Sequence, residues 1–95
     1  MKEKPGFIID ERTRTDRLEI IDFVESKGYR KDEDEFRSRE EILGGSFPLV
    51  IDGENRTYRM VGNVTCAAAA VSSGHLLDKN SFFELFSKFQ NEGYL

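Results

Sequence analysis

Two β-prone segments separated by a turn-forming tetrad constrain the fold of this 95-residue chain more than any other feature. Residues 47–51 (FPLVI) and 56–61 (RTYRMV) flank Asp52-Gly-Glu-Asn55, and this arrangement predicts an antiparallel hairpin. Successive side chains of a strand alternate between its faces. One face of the hairpin is therefore apolar and needs a cover. That face comprises Phe47, Leu49, Ile51, Tyr58 and Met60, whereas Thr57 and Arg59 lie on the other.

Two segments with apolar residues at helical spacing provide that cover. The first follows a cap at Thr13 or Thr15 and ends at Gly28. The second is capped by Asp78 and ends before Gly93. Their apolar stripes comprise Leu18, Ile20, Ile21, Phe23 and Val24 in the first helix, and Phe82, Leu85, Phe86 and Phe89 in the second.

Shorter elements complete the prediction. Residues 7–9 form a buried strand, and residues 75–77 form a short strand or a connector. Ser38 and Glu41 have the spacing of a capping box, which predicts one or two helical turns. The expected fold class is α+β: a small, mainly antiparallel sheet with a central β-hairpin, covered by two or three helices, in a single domain spanning residues 1–95.

The junction after the hairpin has two interpretations. Gly62-Asn63 is followed by the alanine-rich residues 64–71, which predict a helix capped by Asn63 or Thr65. Small residues let such a helix pack closely on a sheet, and a glycine turn is usually geometric. Alternatively, the first N–H groups of the helix bind an anion with help from nearby arginines. The candidate ligand-binding residues are Arg56, Arg59, Gly62, Asn63 and Thr65.

The acidic run Asp32-Glu-Asp-Glu35 is predicted to be a solvated loop, with a partner-facing charged patch as the alternative. It lacks the glycine and the spaced glutamate of a calcium loop. Neighbouring cations dilute its negative charge. They are Arg30, Lys31, Arg37 and Arg39.

Two aromatic residues near the end of the chain, Phe83 and Tyr94, lie off the main stripe of the last helix. Core packing is the first interpretation. A dimer or partner surface is the alternative, and it leaves a homo-oligomer open.

No combination of residues indicates catalysis. Cys66 and His75 are nine positions apart, about 13 Å along a helix, which prevents a nucleophile–base pair. Zinc would need further histidine or cysteine ligands. The Walker and dinucleotide-binding glycine patterns are absent. We therefore expect no enzyme, no catalytic residue, no metal and no cofactor, with Cys66 as a small buried residue in a reducing compartment.

Composition disfavours two further classes, nucleic-acid binders and membrane proteins. The net charge of −4 opposes the phosphate backbone of nucleic acids. The longest apolar segment is far shorter than the roughly 20 residues that span a membrane. The expected location is the cytoplasm.

Three segments carry a resemblance. They are residues 27–30 (KGYR), residues 47–49 (FPL), and residues 58–70 (YRMVGNVTCAAAA) followed by 78–83 (DKNSFF). On these the chain resembles small uncharacterised proteins encoded by bacteriophages and prophages of Gram-positive bacteria. The resemblance implies a location in the bacterial host and supplies no catalytic or binding residue. Several similar phage products disable host proteins or sequester nucleotide signals of antiviral systems.

The expected function is therefore that of a phage or prophage accessory protein that binds a host or phage macromolecule without catalysis and inhibits host defence. The alternative is a binder that sequesters a nucleotide or another anionic small molecule at the helix start formed by residues 62–65.

Overall fold

The predicted hairpin forms the middle of a five-stranded sheet in the computed structural model, which describes residues 6–63, 66 and 74–95. The strands are β1 (Gly6–Ile9), β2 (Arg30–Lys31), β3 (Leu49–Asp52), β4 (Thr57–Met60) and β5 (Leu76–Leu77). Their order across the sheet is β2-β4-β3-β1-β5. The central pairs β1/β3 and β3/β4 are antiparallel, and the edge pairs β1/β5 and β2/β4 are parallel.

The register places the predicted apolar side chains on one face of the sheet. Leu49 lies opposite Met60 and Ile51 opposite Tyr58, while Val50 and Arg59 share the other face. Three helices pack on the apolar face: α1 (Arg14–Ser26), α2 (Arg39–Gly44) and α3 (Lys79–Asn91). The predicted α+β fold class is confirmed, with parallel edge pairs added to the mainly antiparallel sheet.

The helix ends follow the predicted signals. Thr13 caps α1, the box of Ser38 and Glu41 caps α2, and Asp78 caps α3. Gly28 and Gly93 have φ values of 89° and 85°, in the left-handed region that glycine adopts without strain. After each of these glycines, the next N–H bonds back to the carbonyl five residues earlier.

The aromatic residues of α3 pack inward. Phe82 and Phe86 are buried, and the ring of Phe83 lies 5.0 Å from that of Phe23. Tyr94 packs edge-on against Phe89, with ring centroids 5.6 Å apart. This favours core packing over a partner surface at Phe83 and Tyr94.

Two expectations concern the alanine-rich segment. The helix predicted from residue 64 lies outside the described residues, apart from Cys66, which is helical. The prediction that Cys66 is buried is wrong, because its side chain is exposed. Its small apolar neighbours suggested a buried site, but a helix also has an outward face.

One buried arginine joins α1 to the loop before it, to the last turn of α2 and to the segment between α2 and β3. The Arg17 side chain has no exposed surface. Its guanidinium donates to the carbonyl oxygens of Glu11 at 2.8 Å, Ile42 at 2.6 Å and Phe47. Burial lowers the Arg17 pKa, and the negative charge of Asp10 partly opposes this effect.

A second polar cluster links α1 to β4. Tyr58, only 2% exposed, donates its hydroxyl hydrogen to Glu25 Oε2 at 2.9 Å. Arg39 donates to the same carboxylate. Burial, and then the bond to Glu25, raises the Tyr58 pKa to about 12.

We expect Tyr58 to make the protein sensitive to alkali. Its folded pKa lies above the unfolded value of about 10, so its contribution to stability is complete below pH 10 and is lost as the pH rises through 12. Urea unfolding at several pH values should show that the stability of the wild type relative to Tyr58→Phe falls by about 2 kcal/mol over this range. A difference that does not change with pH would contradict the assignment.

Candidate functional site

An exposed phenylalanine stands out on the loop between β2 and α2. Phe36 is 80% exposed and is the only exposed large hydrophobic residue among those the structure describes. Its neighbours point the other way: the side chains of Glu35 and Arg37 are 3% and 9% exposed. The chain alternates here as an extended strand does, so two inward side chains leave Phe36 facing solvent.

Arg37 fixes this loop to the end of β4. Its guanidinium donates to three consecutive carbonyl oxygens, at 3.2 Å for Met60, 3.0 Å for Val61 and 2.8 Å for Gly62. Met60 is the last residue of β4, and Val61 and Gly62 follow it, so these bonds give partners to carbonyls at and just beyond the end of the strand.

Glu35 adds a second attachment to the same strand. One carboxylate oxygen accepts the Met60 N–H at 2.9 Å, and the other accepts the Arg37 N–H at 3.0 Å. The Arg37 guanidinium lies 3.7 Å from the Glu35 carboxylate. Both charges are therefore used internally, and the loop geometry is set by main-chain bonds on either side of Phe36.

The Phe36 ring is held in place on one side. The guanidinium carbon of Arg37 lies 4.7 Å from the ring centroid, within the range of a cation–π contact. Since Arg37 is itself fixed by β4, Phe36 loses little further freedom when a partner covers it. Such preorganisation reduces the entropic cost of binding.

The cations beside the acidic run make their contacts away from its exposed carboxylates, although Arg37 pairs with the buried Glu35. Lys31 donates to the Arg37 carbonyl at 2.9 Å, and Arg37 is buried on β4. Arg39 pairs with Asp22 and Glu25 on α1. Three of the four neighbouring cations therefore point away from the loop surface, and Arg30 is the exception. Tertiary contacts hold these cations away from the exposed acidic side chains, and sequence spacing does not reveal such contacts.

Two cavities flank the loop. The one beside Phe36 has a volume of about 290 Å³, and the one on the β2 side about 270 Å³. The first is lined by Asp32, Asp34, Glu35, Phe36, Arg59, Met60 and Gly62. The second is lined by Arg30, Asp32, Glu33, Asp34, Asn55 and Thr57. In each, carboxylates outnumber arginines.

The structure brings only part of the predicted anion site together. Arg59 and Gly62 line the same cavity, and the Gly62 carbonyl faces Arg37. Arg56 lies at the other end of β4, in a cavity with Tyr29 and Leu95. Six residues of extended chain, roughly 20 Å, separate Arg56 from Gly62.

Asn63 caps the helix start as predicted: its side-chain oxygen accepts the Cys66 N–H at 2.9 Å. Thr65 lies outside the described residues. A Cβ added at Gly62 would meet no described atom within 4 Å, and Gly62 does not have a positive φ. Neither property requires glycine at this position.

Sequence reasoning missed Phe36 together with its supports, Glu35 and Arg37. A signal was present, because Phe36 stands between charged residues of opposite sign without an apolar neighbour at strand or helix spacing to share a core. Within residues 6–63, 66 and 74–95 there is no group of three histidine, cysteine, aspartate or glutamate side chains placed to hold a metal ion. None of the described helices is long and apolar enough to cross a membrane.

Comparison with protein-family models, with curated proteins and with solved structures gives no significant match. The resemblance to phage proteins therefore stays a prediction.

Proposed function

We propose that this chain is an accessory protein of a phage or prophage that acts without catalysis by binding a protein of the bacterial host or of the phage. The surface that binds is the loop of residues 32–36, with Phe36 at its centre. The observation that carries the proposal is an 80% exposed phenylalanine on a loop that buried side chains hold in place.

An exposed aromatic side chain gains free energy when a partner covers it. A phenylalanine in water forgoes the stabilisation of burial, about 1.5–3 kcal/mol. A partner that covers the ring recovers this free energy, and buried aromatic residues with well-packed surroundings dominate many interfaces. The attachment of Arg37 and Glu35 to β4 limits the ordering that binding must impose.

The second candidate function is the capture of a nucleotide or another anionic small molecule. Arg59 and Gly62 support it because they line one cavity. The carboxylates of Asp32 and Asp34 line the same cavity and would repel a phosphate. The balance of charge therefore favours a protein partner.

The test compares wild type with Phe36→Ala as affinity baits in lysate of a Gram-positive bacterium, followed by titration of the purified partner. We expect Phe36→Ala to weaken binding about 30-fold, the effect of losing a contact of about 2 kcal/mol. Because Phe36 is exposed, the variant should keep its stability within about 0.5 kcal/mol. Glu84→Ala, on the exposed side of α3, is the matched control and should bind as the wild type does.

Two outcomes would contradict the proposal. One is a partner whose affinity does not change in Phe36→Ala. The other is an effect on nucleotides, either turnover or tight binding. Tight binding would appear as a rise in melting temperature that Arg59→Ala abolishes, and it would support the second candidate.

A further inference from the structure

The charge around Phe36 narrows the class of partner. Glu33 and Asp34 are exposed, and within the described residues neither side chain takes part in an ion pair. Asp32 is half-buried and accepts the Asp34 N–H at 2.8 Å, which holds the two carboxylates on one turn. The loop thus presents carboxylates and one aromatic ring to solvent.

Among the described residues, the nearby cations do not pair with Glu33 or Asp34. Lys31 and Arg37 are bound to main-chain carbonyls behind the loop. Arg30 and Arg59 lie on strands β2 and β4, and each lines only one of the two flanking cavities. Arg37 pairs with Glu35, and the exposed carboxylates of Glu33 and Asp34 beside Phe36 have no cation paired to them among the described residues.

We propose that the partner presents a lysine- or arginine-rich segment, with one cation at Glu33 and Asp34 and an apolar or guanidinium group against the free face of the Phe36 ring. This inference rests on the proposed function. Lysine and arginine suit both parts of the surface, because their aliphatic stems cover an aromatic ring while their charged ends reach carboxylates. Electrostatic complementarity of this kind selects partners and speeds encounter.

The test selects random peptides displayed on particles against the immobilised full chain. We expect the selected peptides to be enriched in lysine and arginine over the starting library. Their affinity should fall about tenfold on the double variant Glu33→Gln/Asp34→Asn, since the peptide cation loses both of its carboxylates. Phe36→Ala should weaken the same peptides.

The matched control is Glu54→Gln/Glu84→Gln, which removes the same net charge at exposed positions elsewhere. It should leave peptide binding unchanged. An equal loss of peptide affinity on this control would show that the overall net charge causes the effect, and it would overturn the inference.

The outcomes separate the two proposals. The selected peptides could need Phe36 without being enriched in lysine and arginine, or bind the Glu33→Gln/Asp34→Asn variant as tightly as the wild type. Either outcome overturns the inference and leaves the proposed function standing. Failure to obtain any peptide that depends on Phe36 counts against the proposed function as well.

Discussion

Arg17→Met should destabilise the protein by about 3 kcal/mol, a large share of the 5–15 kcal/mol typical of a folded domain. Burying a guanidinium is costly, and replacing a whole buried ion pair by apolar residues can be neutral. Here the partners are main-chain carbonyls of Glu11, Ile42 and Phe47, which no side-chain substitution removes. Methionine fills the space but removes the guanidinium donor from the Glu11 and Phe47 carbonyls, whereas the Ile42 carbonyl keeps the Gly45 N–H. The two carbonyls that lose this donor dominate the cost.

Urea unfolding followed by circular dichroism measures this loss. Arg17→Lys should fall between wild type and Arg17→Met, because an ammonium keeps the charge but not the planar fork of donors. Arg12→Met is the control: Arg12 is exposed and, among the described residues, pairs with Asp10 alone, so its loss should stay below about 1 kcal/mol. Equal stabilities of the Arg12 and Arg17 variants would contradict the role of Arg17.

Local signals in the sequence predict most of the architecture. The hairpin turn, the helix caps and Gly28 each act within a few residues, and the structure confirms them. The long-range pairing of β1 with β3 and β5 had no such signal. It depends on how the apolar faces of distant segments fit together, which periodicity does not specify.

The candidate site was less predictable for the same reason. Arg37 looked like one surface cation among several, yet its guanidinium is buried on carbonyls more than twenty residues away in sequence. The inward direction of Arg37 and Glu35 is what turns Phe36 outward. Contacts with residues far away in the sequence therefore hold the acidic loop in place, and local spacing does not predict them.

Arg37→Met should have the second large effect, a loss of about 3–4 kcal/mol in stability. It removes the donor for three carbonyls and leaves the Glu35 carboxylate, 3% exposed, without its counter-charge. Urea unfolding measures the loss, with the exposed Arg14→Met as control because the Arg14–Glu40 pair is open to solvent. A loss no larger than that of Arg14→Met would mean that water replaces the guanidinium.

A double-mutant cycle with Glu35→Gln separates the buried charge from the lost carbonyl partners. If the uncompensated carboxylate causes much of the damage, Glu35→Gln/Arg37→Met should be more stable than the sum of the single losses predicts, by about 1–3 kcal/mol. Hydrogen exchange at the amides of Glu35 and Arg37 should speed up in Arg37→Met, because the loop loses its attachment to β4. Binding through Phe36 should then weaken although Phe36 is unchanged, since a mobile ring must be ordered by its partner. Unchanged exchange and unchanged affinity in Arg37→Met would show that the loop keeps its shape without this arginine, and would remove preorganisation from the explanation of the site.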